Sequence, residues 1–249
     1  MHNLQAKAGV FYGVGVGPGD PLLITLKAHH LIQSADVICY LANKTGSPGA
    51  IGTSQARDIA QHSIASRSER PIEIAISMPM STDRTAANSA YNLGAEQIST
   101  HIKLNKSVVF LCEGDPLFFG SFSYLLERLS DSHECLVVPG ISSVNGAASA
   151  LQQPLTLLQE SFVVMSGRHT DAQLEQALVS HDSVVIMKAG RARPRILAVL
   201  GKTGRTADAN YLAYIGRDNE EILTDVAQLA NTAGPYFSLF VVLKQERLS

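Results

Sequence analysis

Cysteine is scarce: Cys39, Cys112 and Cys135 are the only three in 249 residues. They are far apart, form no C-x-x-C pair and are odd in number, which argues against a disulfide framework and for a reducing cytosol. No apolar run approaches the ~18 residues that would span a bilayer. The chain reaches Gly17-Pro18-Gly19-Asp20 too soon to hold a secretory apolar segment. These absences predict a soluble, cytoplasmic protein with no membrane partner. Charge is sparse as well, at 17% of residues with a net charge of −2, and gives no global case for a nucleic-acid partner. The histidines show no ligand spacing, and the adjacent His29 and His30 point different ways on a helix, so no metal site is expected. No G-x-S-x-G elbow occurs. Gly201-Lys202-Thr203 looks like the end of a phosphate loop, but Ile196 stands where its first glycine is required. No segment is low-complexity or repeats with a period of 20–50 residues.

What is there is apolar. Hydrophobic residues make up 45% of the chain, enough for one large or two modest cores. Continuous apolar runs at 36–41, 72–78 and 107–112 predict strands covered on both faces, hence a parallel sheet. Helical spacing over 22–35, 53–65 and 85–103 places helices between them, the alternation of an α/β fold. Beyond residue 116, helices are expected at 122–129, after Ser142, at 172–179 and at 194–201. Strands are expected there at 134–138, 162–166, 184–188, 209–215 and 237–243. The predicted boundary divides the chain into domains 1–115 and 116–249.

The stretch Gly13-Val14-Gly15-Val16-Gly17-Pro18-Gly19-Asp20-Pro21 reads as strand, glycine-rich turn and helix start. Asp20 suits an N-cap and Pro21 a first helical position. It is not a dinucleotide fingerprint, because the third glycine of G-x-G-x-x-G falls on Pro18 or on Asp20. Two more turns of the same kind end apolar strands, Glu113-Gly114-Asp115-Pro116 and Pro139-Gly140-Ile141-Ser142-Ser143. Three such turns on one sheet edge predict a small-molecule site there. From Ser183 to Ala207 no acidic residue occurs, while Lys188, Arg191, Arg193, Arg195, Lys202 and Arg205 do. Lys202 and Arg205 read as a solvated basic helix face. Lys188, Arg191 and Arg193 admit that reading and also a site for an anion with several carboxylates.

Taken together, these motifs resemble the tetrapyrrole (corrin and porphyrin) methyltransferase family. The resemblance is carried by Gly15–Leu26, by Gly114-Asp115-Pro116 with Gly120-Ser121, and by Pro139–Ser143. It covers nearly the whole chain in order. Cys112–Phe122, Met187–Arg191 and Pro235–Ser238 look most like the branch that methylates C-20 of precorrin-2 in cobalamin synthesis. Ile24 replaces the usual Leu, and Phe119 replaces the usual Tyr and so lacks a hydroxyl. The resemblance implies two α/β domains, not a Rossmann-type methyltransferase, with S-adenosyl-L-methionine in the cleft between them, and a homodimer. By position it implies that Pro21, Gly114, Asp115, Pro116, Ser121, Phe122, Ser142, Ser143, Met187 and Tyr214 bind the cofactor. Charge, rather than any family motif, nominates Lys44, Arg84, Lys188, Arg191 and Arg193 for the acidic side chains of a tetrapyrrole substrate. Asp115, Asp20 or Glu113 could take up a proton, but turn formation explains them equally well, so no catalytic residue is assigned. A non-catalytic tetrapyrrole binder, or methylation at another ring position, is the alternative.

Overall fold

A computed structural model describes residues 5–43, 52–79 and 84–244. They form two compact units, residues 1–142 and 143–249. The first unit runs β1 (Phe11–Gly15), α1 (Leu26–Ser34), β2 (Val37–Asn43), α2 (Gln55–Ile59), α3 (Gln61–Ala65) and β3 (Ile72–Met78). It continues with α4 (Arg84–Lys103), β4 (Val108–Cys112), α5 (Phe122–Leu129) and β5 (Cys135–Val138). Its five strands lie in the order β3-β2-β4-β1-β5, and every pair is parallel. The apolar runs behave as expected of strands covered on both sides. Phe11, Val37, Cys39, Val108 and Phe110 pack under α4 and α5, while Tyr12, Val14, Ile38, Val109 and Leu111 pack under α1 and α2. The units divide at 142/143 rather than at the expected 115/116, because β5 completes the first sheet by pairing with β1.

The second unit contains α6 (Ser143–Leu151), β6 (Phe162–Ser166), α7 (Asp171–Ser180), β7 (Ser183–Met187), α8 (Arg193–Lys202), β8 (Ala209–Ala213), β9 (Glu221–Leu223) and β10 (Ser238–Leu243). Its sheet is mixed, in the order β6-β7-β10-β8-β9. β6 and β7 are parallel, whereas β10 inserts antiparallel between β7 and β8, and β9 pairs antiparallel with β8. The three-residue β9 escapes the sequence pattern because it is too short to show a period.

Each unit solves one problem in the same way, the passage from a helix end to a strand start. In the first, Asp36 Oδ2 accepts from the Ser107 N–H at 2.8 Å and from its hydroxyl at 2.7 Å. The Ser107 Oγ in turn accepts from the Asp36 N–H at 3.0 Å. In the second, Asp182 and Ser161 make the same reciprocal pairing at 2.9, 2.8 and 3.0 Å. Both clasps tie the starts of neighbouring parallel strands. An arginine covers the preceding helix end in each case, where unpaired carbonyls favour a cation. Arg67 donates to the carbonyls of Ile32 and Ala35, and Arg205 to those of Leu178, His181 and Asp182. Arg205 is thus buried and paired with Asp208, not part of the solvated basic face predicted for it. Lys202 is exposed and bonds to Glu175 at 2.7 Å.

Two carboxylates report on acid stability. Arg57 holds Glu73 with a two-pronged contact at 2.7 and 3.0 Å, and Tyr40 donates to the same group at 2.9 Å. The Arg57 guanidinium keeps the Glu73 carboxyl below its ordinary value of 4.5. Lys244 and the Ser161 clasp hold Asp182 well below its ordinary range. A carboxyl depressed by folding stabilises the protein above its unfolded value, and that contribution disappears as pH falls through the folded value. The urea midpoint should therefore drop as pH is lowered below about 4.5, and Arg57→Gln should flatten that decline. An unchanged acid limb in the variant would show that the pair contributes nothing.

Candidate functional site

The first sheet brings the three glycine turns together. β4, β1 and β5 are adjacent, so their carboxyl ends deliver Glu113–Pro116, Gly15–Asp20 and Pro139–Ser142 to one place at the middle of the sheet edge. Such an edge is where open parallel sheets bind ligands. Gly17 and Gly114 pair through their backbones, the Gly114 N–H donating to the Gly17 carbonyl at 2.8 Å. A Cβ on Gly15 would lie 2.6 Å from both the Gly114 carbonyl oxygen and the Gly140 Cα. A Cβ on Gly140 would strike the same Gly114 oxygen. Gly114 itself has φ +63°, which a side chain rarely tolerates. The glycines therefore make room for one another's backbones, not for a ligand sitting between them. Gly13 likewise makes room for the ring of Phe122.

Two acidic residues at these turns, Asp20 and Asp115, serve as braces. Asp115 Oδ1 accepts from the Leu117 N–H at 2.9 Å, closing its own turn, and Oδ2 accepts from the Gly140 N–H at 3.0 Å, joining the second turn to the third. Asp20 accepts from the Leu22 N–H at 2.8 Å and caps a single 3-10 turn, Pro21–Leu23, with Pro21 leading it as expected. The regular helix α1 begins five residues later, at Leu26, under its own cap, Thr25. Phe122 is wholly buried against Phe11, with ring centroids 5.3 Å apart, so only its main chain can face a ligand. Ser121 precedes α5 without spending its hydroxyl on a cap. Ser142 ends the first unit and Ser143 begins α6 of the second.

The basic candidates separate by structure. Lys44 lies outside the described residues, and Arg84 is exposed at the start of α4. Met187 ends β7, Lys188 and Arg191 lie in the loop that follows it and Arg193 opens α8, so all four belong to the second unit and not to the edge carrying the three turns. Arg193 donates to the Thr232 carbonyl at 2.7 Å and to the Ala233 carbonyl at 3.3 Å, and lies over the Tyr211 ring. Its guanidinium holds that loop, a role charge alone could not reveal. Arg191 is exposed. Lys188 and Tyr214 take φ of +55° and +54°, strain that a scaffold must hold in place. They follow β7 and β8 and flank the start of β10. There the Ala189 N–H donates to Ser238 and the Tyr214 N–H to Phe237, at 3.1 and 2.9 Å. Among the described residues, no three His, Cys, Asp or Glu side chains are grouped to hold a metal, and no helix is long and apolar enough to cross a membrane.

The profile of the tetrapyrrole (corrin/porphyrin) methylases matches residues 10–230. The chain belongs to the tetrapyrrole methylase family. A precorrin-2 C(20)-methyltransferase of Sinorhizobium sp is 34% identical, covering 94% of this chain and 95% of that protein. A cobalt-precorrin-2 C(20)-methyltransferase of Salmonella typhimurium is 29% identical, over 95% and 97%. Among solved structures, the uroporphyrin-III C-methyl transferase of Thermus thermophilus complexed with S-adenosylhomocysteine superposes with a TM-score of 0.65. It is 20% identical and covers 94% of this chain and 97% of that one, which establishes the shared fold. The family's methyl donor is S-adenosylmethionine. The turns of this chain suit that molecule. Their ionisable side chains, Asp20, Glu113 and Asp115, are all acidic, with no Lys or Arg from 13 to 23, 112 to 122 or 138 to 142. Such an edge favours a sulfonium and an ammonium and disfavours a polyphosphate.

Two variants test the turn cluster. Gly15→Ala should cost about 3 kcal/mol in chemical denaturation, since neither neighbouring backbone can retreat. Asp115→Asn must turn an amide N–H toward either Leu117 or Gly140, and should cost about 2 kcal/mol. A variant as stable as the parent would show that Asp115 is no brace.

Proposed function

We propose that this protein transfers the methyl group of S-adenosylmethionine to C-20 of precorrin-2, or of its cobalt complex, in cobalamin biosynthesis. The observation that carries the reading is the 34% identity, along nearly the full length of both chains, to a precorrin-2 C(20)-methyltransferase. The meeting of the three glycine turns at one sheet edge supports it from the side of the structure.

S-adenosylmethionine supplies a methyl group already activated by its sulfonium. The protein's part is to hold two reactants in line, an arrangement that can by itself supply several orders of magnitude in rate. In this reading, Pro21, Gly114, Asp115, Pro116, Ser121 and Ser142 present main-chain groups and one hydroxyl to the methyl donor, Phe122 contributing through its backbone. Ser143, Met187 and Tyr214 complete the cofactor set, and Lys44, Arg84, Lys188 and Arg191 meet the substrate's carboxylates. The rigid backbone contacts of the turns fix where the donor's groups lie. Asp20 and Asp115 already accept backbone N–H groups, so they orient turns and are not assigned the proton released from C-20. The family resemblance also supports a cytoplasmic homodimer, which sedimentation would test.

Incubation with S-adenosylmethionine and precorrin-2, with and without cobalt, should add one methyl by mass, and NMR of a labelled methyl should place it at C-20. A methyl at another carbon would overturn the position. Calorimetry showing no binding of the donor or its demethylated product would overturn the enzyme reading. Arg191→Ala should weaken tetrapyrrole binding about tenfold while leaving donor binding unchanged. Equal loss of both would remove Arg191 from the substrate set.

A further inference from the structure

The strap that follows Pro116 exposes more apolar surface than a turn requires. Leu117, Phe118 and Phe119 are 57%, 36% and 43% exposed. The same edge of the first sheet carries Leu22 and Leu26, 87% and 78% exposed, on the segment after β1. The Gly17–Gly114 backbone pairing ties those two segments together at their roots. Exposed apolar side chains gathered at one sheet edge mark a surface meant to be covered.

The strap is also held in one conformation. Asp115 Oδ1 fixes the Leu117 N–H at 2.9 Å, and the Phe118 N–H donates to the Asp115 carbonyl at 3.3 Å. Phe119 has φ +55°, a costly conformation for an aromatic residue, and Gly120 follows because a Cβ there would strike the Pro116 carbonyl oxygen. The rings of Phe118 and Phe119 meet edge to face, centroids 5.2 Å apart and planes at 69°. Relaxing Phe119 to an ordinary backbone angle would move its ring, so the strain keeps that ring where it is displayed.

We infer that Leu117–Phe119 is a preformed apolar platform for one face of the tetrapyrrole macrocycle, with Phe119 the residue that positions it. The inference rests on the proposed methyl-transfer reading. Several observations select this occupant over a second protein chain. The strap is the direct continuation of Asp115-Pro116, residues of the proposed cofactor set. A tetrapyrrole is a large, largely flat conjugated ring, and its faces suit exposed phenyl groups. No ionisable side chain lies between Pro116 and Ser121, so the strap itself offers the ring an apolar surface and leaves its acidic substituents to be met elsewhere.

Phe119→Ala, Phe119→Leu and Phe119→Tyr, made in the full chain, would be compared for tetrapyrrole binding, followed by the ligand's own absorbance, and for turnover. Donor binding by calorimetry and sedimentation would accompany them. Phe119→Ala should raise KM and Kd for the tetrapyrrole about tenfold while leaving the donor Kd and the assembly state unchanged. Phe119→Leu should recover part of the loss and Phe119→Tyr nearly all of it. If Phe119→Ala fails to fold, the Leu variant carries the test, with an expected loss of about threefold. Unchanged KM and Kd with normal turnover would overturn the platform and leave the methyl-transfer reading intact. Altered sedimentation with unchanged tetrapyrrole affinity would reassign the patch to self-association and overturn the platform equally. A parent protein that binds neither donor nor tetrapyrrole would overturn the underlying reading.

Discussion

Three backbones share a space at the edge of the first sheet that no side chain can enter. Gly15, Gly114 and Gly140 approach so closely that a Cβ on either Gly15 or Gly140 would collide with the Gly114 carbonyl oxygen. Much of the site's form depends on that contact. It sets β4, β1 and β5 in register at their carboxyl ends, and it brings the Asp115 carboxylate within reach of the Gly140 N–H. The apolar strap then leaves this point in a direction that Asp115 and Gly120 together fix. A site that must align two reactants needs such rigidity, because misplacement costs rate as directly as a missing catalytic group.

The ionic side chains follow a similar division of labour. Most of those available to bind something are already holding the chain. Arg67 and Arg205 cover helix ends, Arg193 and Arg195 tie loops to α8, and Arg57 pins β3 to α2 through Glu73. A buried or half-buried arginine with carbonyl partners stabilises local geometry, and removing it leaves several acceptors unpaired. The acid-free stretch from 183 to 207 therefore looks like one feature and is several. Only Lys188 and Arg191 of it are left for an anionic ligand, and Lys188 is displayed from a strained backbone.

The three turns, the five parallel strands of the first sheet and most helices were legible in the residue pattern. Apolar runs of strand length and glycines at strand ends are local signals, and local signals survive in one dimension. The mixed second sheet was not legible. Nothing in Ser238–Leu243 says that it inserts antiparallel between β7 and β8, since strand direction depends on the connection and not on the strand. Nor does the pattern show which sheet β5 joins: it looks like the start of something new and instead closes the first sheet.

The residues dictated which chemistry was possible: an acidic, cation-free set of glycine turns, and the motifs that place the chain among the tetrapyrrole methylases. Spacing along a chain carries such information because each motif is built from neighbours. What each charged group is for, and why each glycine is a glycine, was decided only by the fold. Asp115 could have been a base until the Gly140 N–H was found on its second oxygen. The glycines could have cradled a ligand until each was found pressed against another's backbone. Those partners lie some twenty-five to a hundred and twenty-five residues apart, and no periodicity reports a contact across that distance.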